Sequence, residues 1–393
     1  MPPATSSAPT ILISAGETSG EMYAARLASA LTARTGARFF GLGSEKMRAA
    51  GVDVVADYHS MAVVGIFEVI AKLPAVWRNW RRMEKEAARR KPQLAILVDS
   101  PGFNLGLGRR LRKQGIPVIY FIGPQVWAWR RGRVRTIRRL VQRILVIIPF
   151  EEKIYRDLGV PADFVGHPLA DVVTATVTRD EFAARHGIDP HRKIVVLLPG
   201  SRIGEMQRHM PILLDACRRL ASDPSPEFVL AATPGLAMQA TKDCQASGLK
   251  IRVVTGETYN ALAAADCALV SSGTATVECA LLGTPMVVFY RVSRSSALVM
   301  RLMLRTPFVA MANLIAARQV VPELIQGAFT AANVETEARR LLTDPAARDE
   351  MRAGLTEVRQ KLGTGGAIGR AADIIASALA QPPSQRDKTH AGN

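Results

Sequence analysis

The sequence predicts an α/β protein made of two doubly wound domains with parallel sheets that face a central cleft. Short, almost wholly apolar runs such as Leu94–Val98 and Lys193–Leu198 recur along the chain, each closed by Gly, Pro, Ser or Asp. Helical stretches separate them, and the series breaks and restarts near residue 175. Runs of this kind suit strands buried on both faces, and helices between them imply parallel βαβ units. At 393 residues the chain also exceeds what one hydrophobic core commonly supports.

Thr10–Ala15 is the first strand. It ends in Gly16-Glu17-Thr18-Ser19-Gly20, with a helix beyond to about Arg34. Arg38–Leu42, Leu94–Val98, Val118–Phe121 and Ile144–Ile148 continue the first series. Lys193–Leu198, Phe228–Ala231, Ile251–Val254, Ala268–Val270 and Met286–Phe289 form the second. The boundary falls between Gly166 and Thr178, around Pro168. The expected domains are residues 10–170 and 171–380, with the terminal helices free to return to the first domain. Residues 1–9 and 381–393 read as loose polar tails. Ligands of such sheets bind at the carboxyl ends of the strands.

Apolar residues make up 48% of the chain, which excludes a disordered protein. Cys217, Cys244, Cys267 and Cys279 are too widely spaced for a zinc knuckle or a disulfide framework, and read as small buried hydrophobes. The start lacks the basic and apolar regions of a signal peptide, and no apolar run reaches the ~18 residues of a spanning helix. A cytoplasmic protein that does not span a membrane is expected. The net charge of +17 predicts attraction to a polyanion: nucleic acid, an anionic lipid surface or phosphorylated substrates.

A membrane-facing segment is expected at 61–80. Ile66, Val69, Ile70, Leu73, Val76, Trp77 and Trp80 fall along one helical stripe, with Phe67 in the same apolar segment. Glu68 and Lys72 interrupt it, and Pro74 is placed to kink or divide it. Arg78, Arg81, Arg82, Lys85, Arg89, Arg90 and Lys91 follow directly. Tryptophans beside a basic cluster suit a helix lying in an interface. A core helix followed by a solvated basic helix is the alternative. A second stretch, from Arg130 to Arg143, holds seven arginines. Only Trp127 and Trp129 lie beside it, which gives poor support to a nucleic-acid stacking platform.

Four strand ends carry candidate chemistry. The glycines of Gly16-Glu17-Thr18-Ser19-Gly20 let a ligand approach the backbone at a helix N-terminus, although a plain turn with Thr18 or Ser19 as N-cap fits equally. Asp99, at the end of Leu94–Val98, is a candidate general base, or a brace for its own loop. Ser201 and Arg202, in Pro199-Gly200-Ser201-Arg202, suit a phosphate. In Ser271-Ser272-Gly273-Thr274-Ala275-Thr276-Val277-Glu278 a strand turns into a helix near Thr274, so Ser272, Gly273 and Thr274 suit a diphosphate and Glu278 suits ribose hydroxyls.

No Asp-x-Asp occurs, and the histidines lack ligand spacing, so no metal or other cofactor is expected. Arginines and a helix N-terminus can stabilise a leaving diphosphate instead. His167, in Gly166-His167-Pro168, is a catalytic candidate or a hinge brace.

These blocks together resemble the lipid-A-disaccharide synthases, bacterial enzymes of the two-Rossmann-domain GT-B architecture. The resemblance rests on Ala15-Gly16-Glu17-Thr18-Ser19-Gly20-Glu21, Asp99-Ser100-Pro101-Gly102-Phe103-Asn104, Gln125-Val126-Trp127-Ala128-Trp129-Arg130 and Pro149-Phe150-Glu151 in the first half. Val165-Gly166-His167-Pro168, Leu198-Pro199-Gly200-Ser201-Arg202, Ser272–Glu278 and Asn313-Leu314-Ile315-Ala316 continue it in order. It implies an inverting transfer from UDP-2,3-diacylglucosamine to 2,3-diacylglucosamine 1-phosphate, giving the β-1′,6-linked disaccharide 1-phosphate and UDP. By that resemblance Asp99 is the general base, with Glu17 and His167 as other candidates. Ser201, Arg202, Ser272, Gly273, Thr274, Glu278 and Asn313 hold UDP, and the 61–77 segment takes acyl chains at the anionic inner leaflet. Two positions depart from the family pattern: Gly102 stands where a second Asp is frequent, and Glu21 where Asp is common.

The alternatives are another metal-independent UDP-sugar transferase or epimerase of the same architecture, and a basic nucleic-acid-binding protein. The Trp-Ala-Trp-Arg block opposes the first and the lack of nucleic-acid motifs the second. A homodimer, by exchange of C-terminal helices, stays open.

Overall fold

The structure, a computed structural model, describes residues 8–61, 66–127, 133–221, 225–293 and 306–381. The side chains of Thr18, of residues 60–61 and 66–72, and of Arg133 fall outside that description. So do both expected tails, apart from a few residues, and Trp129 and Arg130.

The chain forms two compact units, one of Met1–Pro168 with everything from Gly365 onward, the other Leu169–Thr364. The first holds a seven-stranded parallel sheet in the order β3-β2-β1-β4-β5-β6-β7. Its strands are β1 (Thr10–Ala15), β2 (Arg38–Gly43), β3 (Asp53–Asp57), β4 (Leu94–Val98), β5 (Val118–Phe121), β6 (Arg143–Val146) and β7 (Ala162–Phe164). The second holds a six-stranded parallel sheet in the order β10-β9-β8-β11-β12-β13. These are β8 (Ile194–Leu198), β9 (Glu227–Ala232), β10 (Ile251–Thr255), β11 (Cys267–Ser271), β12 (Met286–Tyr290) and β13 (Glu323–Ile325).

The central strands are buried along their whole length, because helices cover both faces of each sheet. Leu12, Leu97, Tyr120 and Ile144 on one side of the first sheet pack with Leu107, Leu111 and Met83 from its helices. Each such side chain contributes about 1.5–3 kcal/mol by leaving water.

Both sheets reverse their winding once, between β1 and β4 and between β8 and β11. Ala15 pairs with Val98, and Leu198 with Val270, at the carboxyl ends of those strands. Gly16 and Asp99 therefore emerge side by side, as do Pro199 and Ser271. A doubly wound sheet opens a crevice at such a reversal.

Several expectations need correction. β6 ends at Val146, because Ile148 is already the N-cap of a helix led by Pro149. Strands β3, β7 and β13 were not expected from the sequence. Glu17, not Thr18 or Ser19, is the N-cap of helix Thr18–Thr35, and it makes no side-chain cap. Pro74 does not divide its helix, which runs from Ile66 to Arg90. The described part of the apolar stripe on that helix differs in burial: Val76 and Trp80 pack on the core, while Leu73 and Trp77 are 53% and 49% exposed. Ile66, Phe67, Val69 and Ile70 lie outside the described side chains. Among the described residues no helix is long and apolar enough to cross a membrane.

Candidate active site

In the first unit, Asp99 and Ser100 follow β4 with φ of 48° and 46°. Two consecutive left-handed residues without glycine cost of order 1–3 kcal/mol each, so neighbours must hold them. The Asp99 carbonyl accepts Tyr120 Oη at 2.6 Å and Asn104 Nδ2 at 2.8 Å. The same amide reaches Val98 O, and Asn104 Oδ1 accepts the Ser14 hydroxyl at 2.7 Å, so one fully buried side chain ties the ends of β1 and β4.

The glycine loop lies directly against this turn. A Cβ on Gly16 would fall 2.9 Å from Ser100 Oγ, so any larger residue there would have to push the Ser100 side chain aside. Ser100 Oγ is buried and has no hydrogen-bond partner among the described residues. Gly20 faces Asp99 Cβ. Ser19, half-buried, lies in the first turn of helix Thr18–Thr35.

Burial, with the nearby charge of Glu17, pushes the Asp99 carboxyl up to about 6. A carboxylate of that basicity is ionised at neutral pH and a better proton acceptor than an ordinary aspartate. Glu151 is fully buried, and burial pushes its carboxyl up to about 8, with Asp99 adding to the effect. It accepts the Trp127 indole N–H at 2.9 Å. Asp99 is thus the only carboxylate in its own block but not at the site, since Glu17 acts on it and it acts in turn on Glu151. Burial holds His167 down to about 4, so the imidazole is neutral and is not a general acid at pH 7.

In the second unit a cavity of about 590 Å³ opens at the β8/β11 reversal. That size suits a small-molecule ligand. Ser201, Arg202, Ser272, Gly273, Thr274 and Glu278 all line it. Gly273 is the N-cap of helix Thr274–Leu282, and Gly273, Thr274 and Ala275 at the start of that helix line the cavity. Burial raises the Glu278 carboxyl, and a hydrogen bond with Tyr259 opposes this. Ser271 Oγ is buried there without a partner among the described residues.

Asn313 is not part of this lining. Its side chain is fully buried and spent on Val321 O, Glu323 Oε1 and the Val320 and Val321 N–H groups. Glu323 in turn takes the Val309 and Ala310 N–H groups, and Ser272 Oγ reaches Val309 O at 3.4 Å. Asn313 acts on the pocket through that loop, as a brace.

Among the described residues no three His, Cys, Asp or Glu side chains converge as metal ligands. The sequence model of the family described as Lipid-A-disaccharide synthetase matches residues 11–370. The chain belongs to the lipid-A-disaccharide synthase family. The synthase of Solibacter usitatus strain Ellin6076 is 46% identical over 375 residues, 94% of this chain and 98% of its own. That of Myxococcus xanthus strain DK1622 is 43% identical over 380 residues, 96% and 99%. Solved structures share the fold at low identity. The Neisseria meningitidis UDP-GlcNAc 2-epimerase, bound to UDP-GlcNAc, has a TM-score of 0.60 at 12% identity, covering 94% of this chain and 100% of its own. The calicheamicin glycosyltransferase CalG4 has a TM-score of 0.61 at 16%, covering 96% and 99%.

Within this family member the sequence singled out the strand-end residues and missed those that hold them. Asn104, Tyr120, Glu151 and Glu205 carry the loops and were not among the expected site residues. Asn104 and Glu151 do stand in the blocks that carry the resemblance, which was the available signal.

Proposed function

We propose that the chain joins UDP-2,3-diacylglucosamine to 2,3-diacylglucosamine 1-phosphate, forming the β-1′,6-linked disaccharide 1-phosphate and UDP. Asp99 takes the proton of the acceptor 6-hydroxyl. The freed oxygen attacks C1 of the donor sugar opposite the diphosphate, the bond from C1 to the diphosphate oxygen breaks, and UDP leaves with the configuration inverted. Arg202 and the N-terminus of helix Thr274–Leu282 take up the charge on the leaving diphosphate, with no metal required. Glu278 accepts from the ribose. The observation that carries this reading is the clustering of Ser201, Arg202, Ser272, Gly273, Thr274 and Glu278 around one cavity at a sheet reversal.

Both substrates are anionic lipids, and the basic chain suits a peripheral seat on the anionic inner leaflet. Exposed Leu73 and Trp77, with exposed Arg78, Arg81 and Arg82 beside them, support that reading. Homodimer formation is compatible with it.

A turnover assay with both lipids and excess EDTA tests the reaction. Disaccharide 1-phosphate identified by mass is the expected result. Folded protein that binds UDP but yields no such product would redirect the reading to another acceptor.

A further inference from the structure

The loop after β8 already holds an anion of its own. Glu205 Oε2 accepts the Ser201 N–H at 3.2 Å. Glu205 Oε1 pairs with the Arg202 guanidinium at 3.3 Å and accepts the Tyr290 hydroxyl at 3.3 Å. A backbone N–H, a guanidinium and a phenol converging on two oxygens is the donor set that a phosphate would use. The carboxylate also sits close on the backbone: Gly200 has φ of 123°, and a Cβ there would lie 2.6 Å from Glu205 Oε2. Only glycine admits the carboxylate at that point.

The two partners differ in freedom. The Glu205 side chain is 10% exposed, whereas that of Arg202 is 65% exposed. Glu205 is fixed by the loop and the start of its helix, Ile203–Leu220, and Arg202 is free to swing into the cavity that both residues line.

We propose that Glu205 is an internal competitor for the donor's diphosphate, occupying Arg202 and the Ser201 N–H until a nucleoside diphosphate displaces it. This rests on the reading of the cavity as the UDP site. The consequence is selectivity by charge. A ligand with two phosphates recovers the Arg202 contact that it breaks, and offsets the repulsion from the Glu205 carboxylate. Uridine brings no anion, so it leaves the Arg202–Glu205 pair intact and gains nothing from its removal. Glu205 therefore sets how much of the donor's affinity is taken from the diphosphate.

The experiment is calorimetric titration of UDP and of uridine into the full chain and into its Glu205→Gln and Arg202→Ala variants. Glutamine keeps an acceptor for the Ser201 N–H and removes the charge. Glu205→Gln is expected to bind UDP on the order of five- to tenfold more tightly, the scale of one partly exposed ion pair plus a relieved repulsion, with uridine unchanged. Arg202→Ala is expected to bind UDP more weakly. Equal or weaker UDP binding by Glu205→Gln, beside a loss in Arg202→Ala, overturns the proposal and leaves Glu205 as a loop brace. UDP binding unchanged in Arg202→Ala overturns the donor-site reading itself. A structure of the wild-type UDP complex gives a check free of any folding defect in a variant. Arg202 is expected to have left Glu205 for the diphosphate, and an Arg202–Glu205 pair intact beside bound UDP refutes the competition.

Discussion

The Asn104 amide donates to the Asp99 carbonyl at 2.8 Å while the Asn104 oxygen accepts the Ser14 hydroxyl at 2.7 Å. One side chain therefore fixes the left-handed turn of the candidate base to the neighbouring strand. Tyr120, the second donor to that carbonyl, is removed most cleanly by Tyr120→Phe. This variant should lose about 1 kcal/mol of stability, the usual worth of one buried hydrogen bond. Its kcat should fall about tenfold, because small misplacements of a reacting group are costly. The Kd for UDP should not change. Asn104→Ala, which loses the Asn104 side-chain bonds to Ser14, Val98 and Asp99, should fall further in both stability and kcat. Thermal unfolding, UDP titration and turnover separate these effects.

Asp99 acts as a base only when ionised, so kcat/KM should rise with pH and level off above about 6. Glu17 contributes to that elevation through like charge. Glu17→Gln should therefore lower the Asp99 pKa and move the acid limb to lower pH, with little loss at the plateau. Asp99→Asn should lose roughly 10²–10⁴ in kcat and show no limb in this range. A limb that stays in place in Glu17→Gln would remove Glu17 from the electrostatics of the base.

Glu151 gives a prediction for stability. Its folded pKa is raised from 4.5 to about 8, so the native state holds a proton that the unfolded chain releases. Stability from this group is complete below pH 4.5 and is lost as pH rises toward about 8. Glu151→Gln keeps a neutral acceptor for Trp127 and removes the titration. The variant should match the wild type near pH 5 and exceed it in Tm at pH 8 and above. Parallel Tm curves for the two proteins across this range would show that Glu151 does not titrate with folding.

What was legible follows from how strongly a feature marks the local sequence. β4, β8 and β11 are buried on both faces and read as unbroken apolar runs. β3, β7 and β13 are edge strands of three to five residues with exposed or half-buried positions, so Asp53, Asp163 and Glu323 disguise them. Asp99, Ser201 and Thr274 stand at strand ends, where local pattern suffices. Tyr120 reaches Asp99 across 21 residues and Trp127 reaches Glu151 across 24, and such partnerships exist only once the sheet has formed. Asn313 shows the reverse: a polar residue in a matching block suggests a ligand group, whereas its side chain accepts from the Val320 and Val321 N–H groups.

The last helix gives a test that treats the two units separately. Ala367–Ala380 packs on Thr18–Thr35 in the first unit, burying Ala367, Ala371, Ala372 and Ile375 completely. Arg370 Nε donates to Val165 O at 2.9 Å, and Arg34 pairs with Asp373 at 2.7 Å. The ion pair is exposed and contributes little. The apolar face dominates, and Ile375→Ala should cost about 2–5 kcal/mol. A chain ended at Thr364 loses that whole face while keeping every residue of the second unit. Its first unit should unfold at markedly lower temperature, and turnover should disappear with it. UDP binding should persist, because the described residues that line the cavity all belong to Leu169–Thr364. Loss of UDP binding on this truncation would mean that the donor pocket depends on the first unit for its shape.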